Sequence, residues 1–206
     1  KREDILTIPS LFIIKRRNKE MKRLLIVVLL LFGLVGCSQA SFDFEKGDLI
    51  VGLECDYAPF NWLETTPSET NVVVDGMNAY AQGYDVQIAK MIAERLNLNL
   101  IIKMIDWDGL IPALQSGMID VIIAGMSPTE DRAKQVRFSN AYYQTQHVLL
   151  VHKEGAFANA VDLDDFSNAK VIGQRSTVYD DLALYLAQRN NAIHQTALAR
   201  IPEIVN

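Results

Sequence analysis

Between residues 48 and 125, three short apolar runs alternate with two segments of helical period, and this alternation limits the fold more than any other feature of the chain. The runs "DLIVGLE" (48–54), "LNLIIKMI" (98–105) and "IDVIIAG" (119–125) read as buried strands. Between the first two, "YDVQIAKMIAERLN" (84–97) carries Val86, Ile88, Ala89, Ile92, Ala93 and Leu96 as a helical stripe, with Asp85 near its start. Between the last two, "DGLIPALQSG" (108–117) predicts a short helix that stops at Gly117. Strands and helices in this order form βαβ units and a largely parallel sheet, so the fold class is α/β.

The remaining segments extend the pattern. Residues 63–82, around "NVVVDG", read as a hairpin-like excursion, and "EDRAKQVR" (130–137) as a short helix. "QTQHVLLVHKE" (144–154) predicts a long strand that crosses between two lobes. After it, "LDDF" (163–166), "AKVIGQR" (169–175), "TVYDDLALYLAQRN" (177–190) and "AIHQ" (192–195) begin a second α/β unit. "IPEIVN" (201–206) reads as the first turn of a further helix.

Open parallel sheets bind ligands beyond the carboxyl ends of their strands. Three such ends carry chemistry here: Glu54 to Tyr57, Asp106 to Trp107, and Gly125 to Arg132 in "AGMSPTEDR" (124–132). Arg132 is a rigid fork of donors that holds a carboxylate through two parallel bonds. Ser127 adds a hydroxyl, and Pro128 presets a turn into a helix whose free N–H groups attract negative charge. Tyr57 and Trp107 offer faces for an aliphatic or cationic body. Glu54 at a strand end is a carboxylate that needs a positive partner if buried, from a ligand or from a lysine of the protein. The bland readings place Arg132 in a surface pair with Glu130 or Asp131, and Tyr57 and Trp107 in core packing.

Charge and cysteine usage narrow the class. A net charge of −5, with the basic residues gathered in "KRRNKEMKR" (15–23), gives no cationic face for nucleic acid. "MKRLLIVVLLLFGLVGC" (21–37) has a charged start, an apolar run of about thirteen residues and small residues at its end, in the order of a secretory signal and too short to span a bilayer comfortably. "LVGC" (34–37) resembles the bacterial lipobox, which implies lipidation at Cys37 and attachment to the extracytoplasmic face of the cell membrane. Residues 1–36 therefore read as an upstream extension plus signal peptide, and 37–47 as a lipid-anchored tether. With Cys37 acylated, Cys55 has no disulfide partner and reads as a small buried residue. His147, His152 and His194 are too scattered for a metal site, and neither metal nor cofactor is expected.

"VGLECDYAPF", "GYDVQIAKMIAERL", "WDGLIPALQSGMIDVIIAGMSPTEDR" and "FSNAYY", in this order, resemble the bacterial extracellular solute-binding proteins of family 3, the receptors of amino-acid ABC transporters. The resemblance runs from about Asp48 to the chain end; Gln87 departs from it where an acid is usual. It implies a two-lobed, type II periplasmic-binding fold, with lobe one at 48–148 and part of lobe two at 149–206. It further implies that Arg132, the Ser127 backbone and Thr177 hold an α-carboxylate. The Gly125 carbonyl and Ser127 hydroxyl would meet the α-ammonium. Tyr57 and Trp107 would stack on the side chain, and Glu54 would lie near the distal end of a basic amino acid. Ala124 stands where some basic-amino-acid receptors have a serine. The implied partners are a free amino acid, a membrane-embedded permease and, through Cys37, the lipid membrane; a monomer is expected. The family's second lobe continues further than residue 206, so this 206-residue chain is expected to bind amino acids weakly or not at all and to be poorly stable.

Two other classes compete. Dehydratases on the same fold resemble the chain, with Glu54 as an acid or base, but no Ser–His–Asp set, phosphate loop or zinc motif appears. A surface lipoprotein that no longer binds solute is the other. Capture of a polar, possibly basic, amino acid is the reading carried forward, without enzymatic activity.

Overall fold

The computed structural model describes residues 47–205. They belong to the second of the two units into which the chain divides, Glu45–Asn206. The extension, the signal-like segment, Cys37 and nearly all of the tether lie outside the described residues.

Strand β1 (Asp48–Leu53) is the axis of the first sheet, paired in parallel with β6 (Asn99–Met104) on one side and β7 (Val121–Ile122) on the other. The register sets Val51 opposite both Ile102 and Val121. Both edges and both faces of β1 are covered: Val51 and Leu53 are fully buried on one face, and buried Gly52 on the other lies against Leu110 and Ile119, which is why the sequence is apolar without alternation. The β7 ladder is shorter than its apolar run, although Ile119, Ile123 and Ala124 beside it are buried.

Helix α1 (Tyr84–Leu96) connects the excursion after β1 to β6, and α2 (Trp107–Gln115) connects β6 to β7. Of the expected α1 stripe, Val86, Ala89 and Ala93 are buried, Ile88 and Ile92 pack half-buried against the core, and Leu96 is exposed; Asp85 is buried with them. Asn97 ends the helix in the left-handed region, its N–H bonded to the Ala93 and Glu94 carbonyls. The excursion, expected as a hairpin over 63–82, starts earlier and is a four-stranded antiparallel sheet of β2 (Asp56–Tyr57), β3 (Asn61–Glu64), β4 (Val72–Val73) and β5 (Tyr80–Gln82) in the order β2-β3-β5-β4.

A second hydrophobic cluster, Phe166, Ala169, Leu186 and Ala192, lies under the later βαβ unit. There β8 (Lys170–Val171) and β9 (Ile193–His194) pair in parallel around α4 (Val178–Asn190). A four-residue helix α3 (Glu130–Ala133) precedes this unit and α5 (Ile201–Val205) follows it. Gly173 sits directly under the first turn of α4. A Cβ there would lie 2.4 Å from the Asp180 nitrogen and the Tyr179 carbonyl carbon, so only glycine lets the chain leave β8 so close to the helix.

Two expected elements differ. Helix α3 stops after four residues instead of reaching residue 137. The long strand expected over 144–154 is absent: that stretch is irregular, with Val148 85% and Leu150 82% exposed. A strand is held by its ladder, and among the described residues no segment pairs with this one, so apolar composition alone does not make it a strand.

Leu53 closes the core immediately before the cavity described below. Leu53→Ala is expected to lower stability by about 2–5 kcal/mol, as large-to-small changes at fully buried sites do. Urea unfolding followed by far-UV circular dichroism checks this.

Candidate functional site

The strand order places β1 between two later strands whose crossovers depart to opposite sides, so a crevice opens at its carboxyl end. The first side of the crevice is Glu54, Cys55, Asp56 and Tyr57, where the chain turns sharply with Cys55 at φ 63°. The second is Trp107, which opens α2 after the Asp106 N-cap. The third is the loop from Ala124 to Thr129, turned at Gly125 (φ 61°) and delivering Arg132 on α3. A Cβ at Gly125 would meet the Tyr57 ring at 3.3 Å, so this glycine is required by backbone conformation and by close approach alike. A fourth side comes from beyond β8: Gln174, Ser176, Thr177 and Tyr179.

All seven residues named from the sequence (Glu54, Tyr57, Trp107, Gly125, Ser127, Arg132 and Thr177) line one cavity, together with Ala124, Gln174, Val178 and Tyr179. Its volume, about 20 Å³, accommodates roughly one water molecule. The walls are drawn together by polar contacts. Arg132 donates from Nη1 to the Ser127 carbonyl and from Nη2 to the Ser176 carbonyl, both at 2.9 Å. The guanidinium lies 5.2 Å from the centre of the Trp107 ring, whose Nε1–H also donates to the Ser176 carbonyl, at 3.0 Å. The surface pairing of Arg132 with its helix neighbours is not what forms: Asp131 pairs with Lys134 instead, at 2.7 Å. Burial holds the Arg132 pKa below its ordinary value, with Asp181 acting the other way.

Glu54, only 3% exposed, accepts a 2.5 Å bond from Gln174 Nε2, whose amide also donates to the Ala199 carbonyl. Burial, then the neighbouring Asp56, push its pKa from 4.5 up to about 7, against the opposing pull of Gln174 and Arg200. Asp56 is itself buried and bonded to Arg200 Nε at 2.8 Å, with its Oδ1 unpartnered. Cys55 is a buried free thiol pushed up to about 12, by burial first and then by Asp56 and Glu54, so it stays protonated and unreactive. Tyr57 and Tyr179 share a hydrogen bond at 2.8 Å across the cavity. The Thr177 hydroxyl is engaged in its own loop, donating to the Gln174 carbonyl at 2.7 Å and capping α4 through the Tyr179 N–H at 3.1 Å. Outside the cavity Arg175 and Asp108 form a rim ion pair at 2.7 Å.

Gln174, Ser176 and Tyr179 were not singled out in the sequence. The strand-end rule that marked the first three loops would have marked "GQRST" (173–177) had it been applied to the second βαβ unit too.

The family model for the bacterial extracellular solute-binding proteins, family 3, matches residues 49–197. The chain belongs to this family. Among family 3 relatives, the arginine-binding extracellular protein ArtP of Bacillus subtilis is 32% identical over 147 residues, covering 70% of this chain and 52% of the relative. The L-cystine-binding protein TcyJ of Escherichia coli is 31% identical over 139 residues, covering 66% and 47%. Solved structures that it resembles include amino acid-binding proteins. A substrate-binding protein of an amino acid ABC transporter from Streptococcus pneumoniae, bound to L-arginine, superposes with a TM-score of 0.62 at 28% identity, over 77% of this chain and 62% of that one. An ancestral amino acid-binding protein, a precursor of cyclohexadienyl dehydratase, gives 0.63 at 30%, over 76% and 63%. The fold is thus the α/β type II periplasmic-binding one, and the chain spans about half the length of the relatives ArtP and TcyJ.

The raised Glu54 pKa has a consequence for stability. Between pH 4.5 and about 7 the folded state retains a proton on Glu54 that the unfolded chain has released, so the contribution of this group to stability is fullest below 4.5 and is lost as pH rises through 7. Glu54→Gln is expected to remove that decline, becoming progressively more stable than the parent from pH 5 to 7.5. Thermal unfolding across that range checks it; parallel pH curves for the two proteins would refute it.

Proposed function

We infer that this chain captures a free amino acid in the cleft as the solute-binding component of an ABC importer, and that a basic amino acid suits it best. The observation that carries the reading is Arg132. It is a half-buried guanidinium over an aromatic face, and among the described residues its hydrogen bonds go to carbonyls and to no carboxylate. Such a cation gains most from an anionic partner that brings two parallel acceptors. A ligand α-carboxylate would take that place by displacing the Ser176 carbonyl. Its ammonium would then meet the Gly125 carbonyl and the Ser127 hydroxyl, and its side chain would run between Tyr57 and Trp107 toward Glu54. Since the cavity holds little more than one water molecule, the loop carrying Gln174, Ser176 and Tyr179 would have to draw back to admit it. Relatives whose names specify arginine support the basic preference.

In this reading Cys37 carries lipid, residues 37–47 tether lobe one (48–148) and lobe two (149 onward) to the extracytoplasmic face of the cell membrane, and the loaded protein delivers its cargo to a membrane-embedded permease. Catalysis is not part of it. Glu54 titrates near neutrality, which would suit proton transfer, yet its nearest partner is the Gln174 amide, which neither gives up nor takes a proton.

Calorimetric titration against the twenty amino acids, with ornithine, tests the reading. Arginine, lysine or ornithine should bind best, and Arg132→Lys should weaken every ligand by on the order of 30-fold or more, about 2 kcal/mol. Absence of heat for every compound would refute capture.

The role of Glu54 has its own readout. Glu54→Gln should weaken arginine by roughly tenfold or more while leaving glutamine within about threefold. Arginine binding to the parent should also weaken as pH falls through 7, because Glu54 takes up a proton. Equal losses for arginine and glutamine would remove Glu54 from the specificity account.

A further inference from the structure

Two of the loops that line the cavity leave their strands through residues in the left-handed region, Cys55 after β1 and Gly125 after β7. For a cysteine this conformation is costly, and it persists only where the surroundings hold it. What holds both turns is one carboxylate. The Cys55 N–H donates to Asn61 Oδ1 at 2.7 Å, and Asn61 Nδ2 donates to Asp85 Oδ2 at 2.8 Å. On the other side the Gly125 N–H donates to the Tyr142 hydroxyl at 3.0 Å, and that hydroxyl donates to Asp85 Oδ1 at 2.8 Å. Asn61 and Asp85 are completely buried, and none of Asn61, Asp85 and Tyr142 lines the cavity.

We propose that Asp85 and Tyr142 are positioning residues of the binding site, locking the two cavity loops to each other through the first turn of α1. The geometry makes the lock directional. A trans peptide has its N–H and C=O on opposite sides, so pinning the Gly125 N–H on Tyr142 fixes the plane of the Ala124–Gly125 peptide. That plane sets the course of the loop that brings the Ser127 carbonyl to Arg132. Both acceptor oxygens of Asp85 are filled by neutral donors, so each donor counts. Removing the Tyr142 hydroxyl strands Asp85 Oδ1 and the Gly125 N–H together. A tyrosine at 142 is thereby explained by its oxygen rather than by its ring. Tyr142 is 37% exposed, and its ring stacks on that of Tyr84 at 6.1 Å, a contact that phenylalanine keeps.

Tyr142→Phe in the full chain tests this with two readouts, of which only the second rests on the amino-acid-capture reading. In the ligand-free protein the Gly125 amide should move upfield by NMR and exchange with deuterium at least about tenfold faster, the equivalent of 1.4 kcal/mol. The Ile105 amide, which donates to the Leu53 carbonyl where β6 leaves β1, should keep its protection. If the parent binds an amino acid, the variant should bind it about tenfold more weakly. Asp85→Asn, which keeps the side-chain shape but offers one acceptor in place of two, should shift the Gly125 amide in the same sense. An unchanged Gly125 amide in both variants overturns the proposal. So does unaltered affinity in a Tyr142→Phe protein whose Gly125 amide has lost protection, because the lock would then be structural only. A parent that binds nothing defeats the capture reading and leaves the amide measurement to decide this one.

Discussion

The parallel pairing of β1 with β6 on one edge and β7 on the other is the constraint from which the site follows. A central strand flanked by two later strands forces its crossover connections apart, and the gap they leave lies where the chain exits each strand. The exits are also where the backbone is least regular: Cys55 and Gly125 both take left-handed conformations there. The sheet thus supplies rigidity up to Leu53, Met104 and Ile122. Chemistry begins within a few residues of those positions, on backbone that the sheet and the Asp85 network hold in place.

The electrostatics of the cavity share one character. The half-buried Arg132 cation and the buried Glu54 carboxyl, which keeps its proton up to about pH 7, are each met by neutral dipoles: backbone carbonyls for the arginine, a side-chain amide for the glutamate. A neutral partner offsets part of the desolvation of an ion and leaves its charge uncompensated. A molecule with a carboxylate at one end and a cation at the other would compensate both. The two ion pairs beside the cavity, Asp56–Arg200 and Asp108–Arg175, include neither group, although the first acts on Glu54 through space.

Much of this was readable from residue order. The unalternating apolar runs identified β1, β6 and β7. The turn chemistry around "NVVVDG" identified the antiparallel excursion, and the strand-end rule gathered seven residues that the fold brings to one cavity. What escaped did so for physical reasons. Residues 144–154 have strand composition, but a strand is a relation between segments and no single segment contains its partner. Leu96 has the right spacing for the α1 stripe yet is the last helical residue and is exposed. The link from Asp85 to Gly125 through Tyr142 is made of hydrogen bonds between residues 57 and 17 positions apart, distances at which periodicity carries no information. Gln174 meets Glu54 at a separation of 120 residues, and nothing local distinguishes it from a loop glutamine.

Ser176 holds a left-handed conformation and offers one carbonyl oxygen to both the Trp107 indole and the Arg132 guanidinium. A peptide group of the protein therefore occupies the seat that a guest's acid group would claim, so the guest must outcompete it. Affinity in such a cleft is a difference between two sets of bonds, those the guest makes and those the protein had already made with itself. Receptors with identical contacts to the same solute can thus differ widely in strength. Their selectivity for one guest over another is nevertheless retained, because self-occupation handicaps every guest equally.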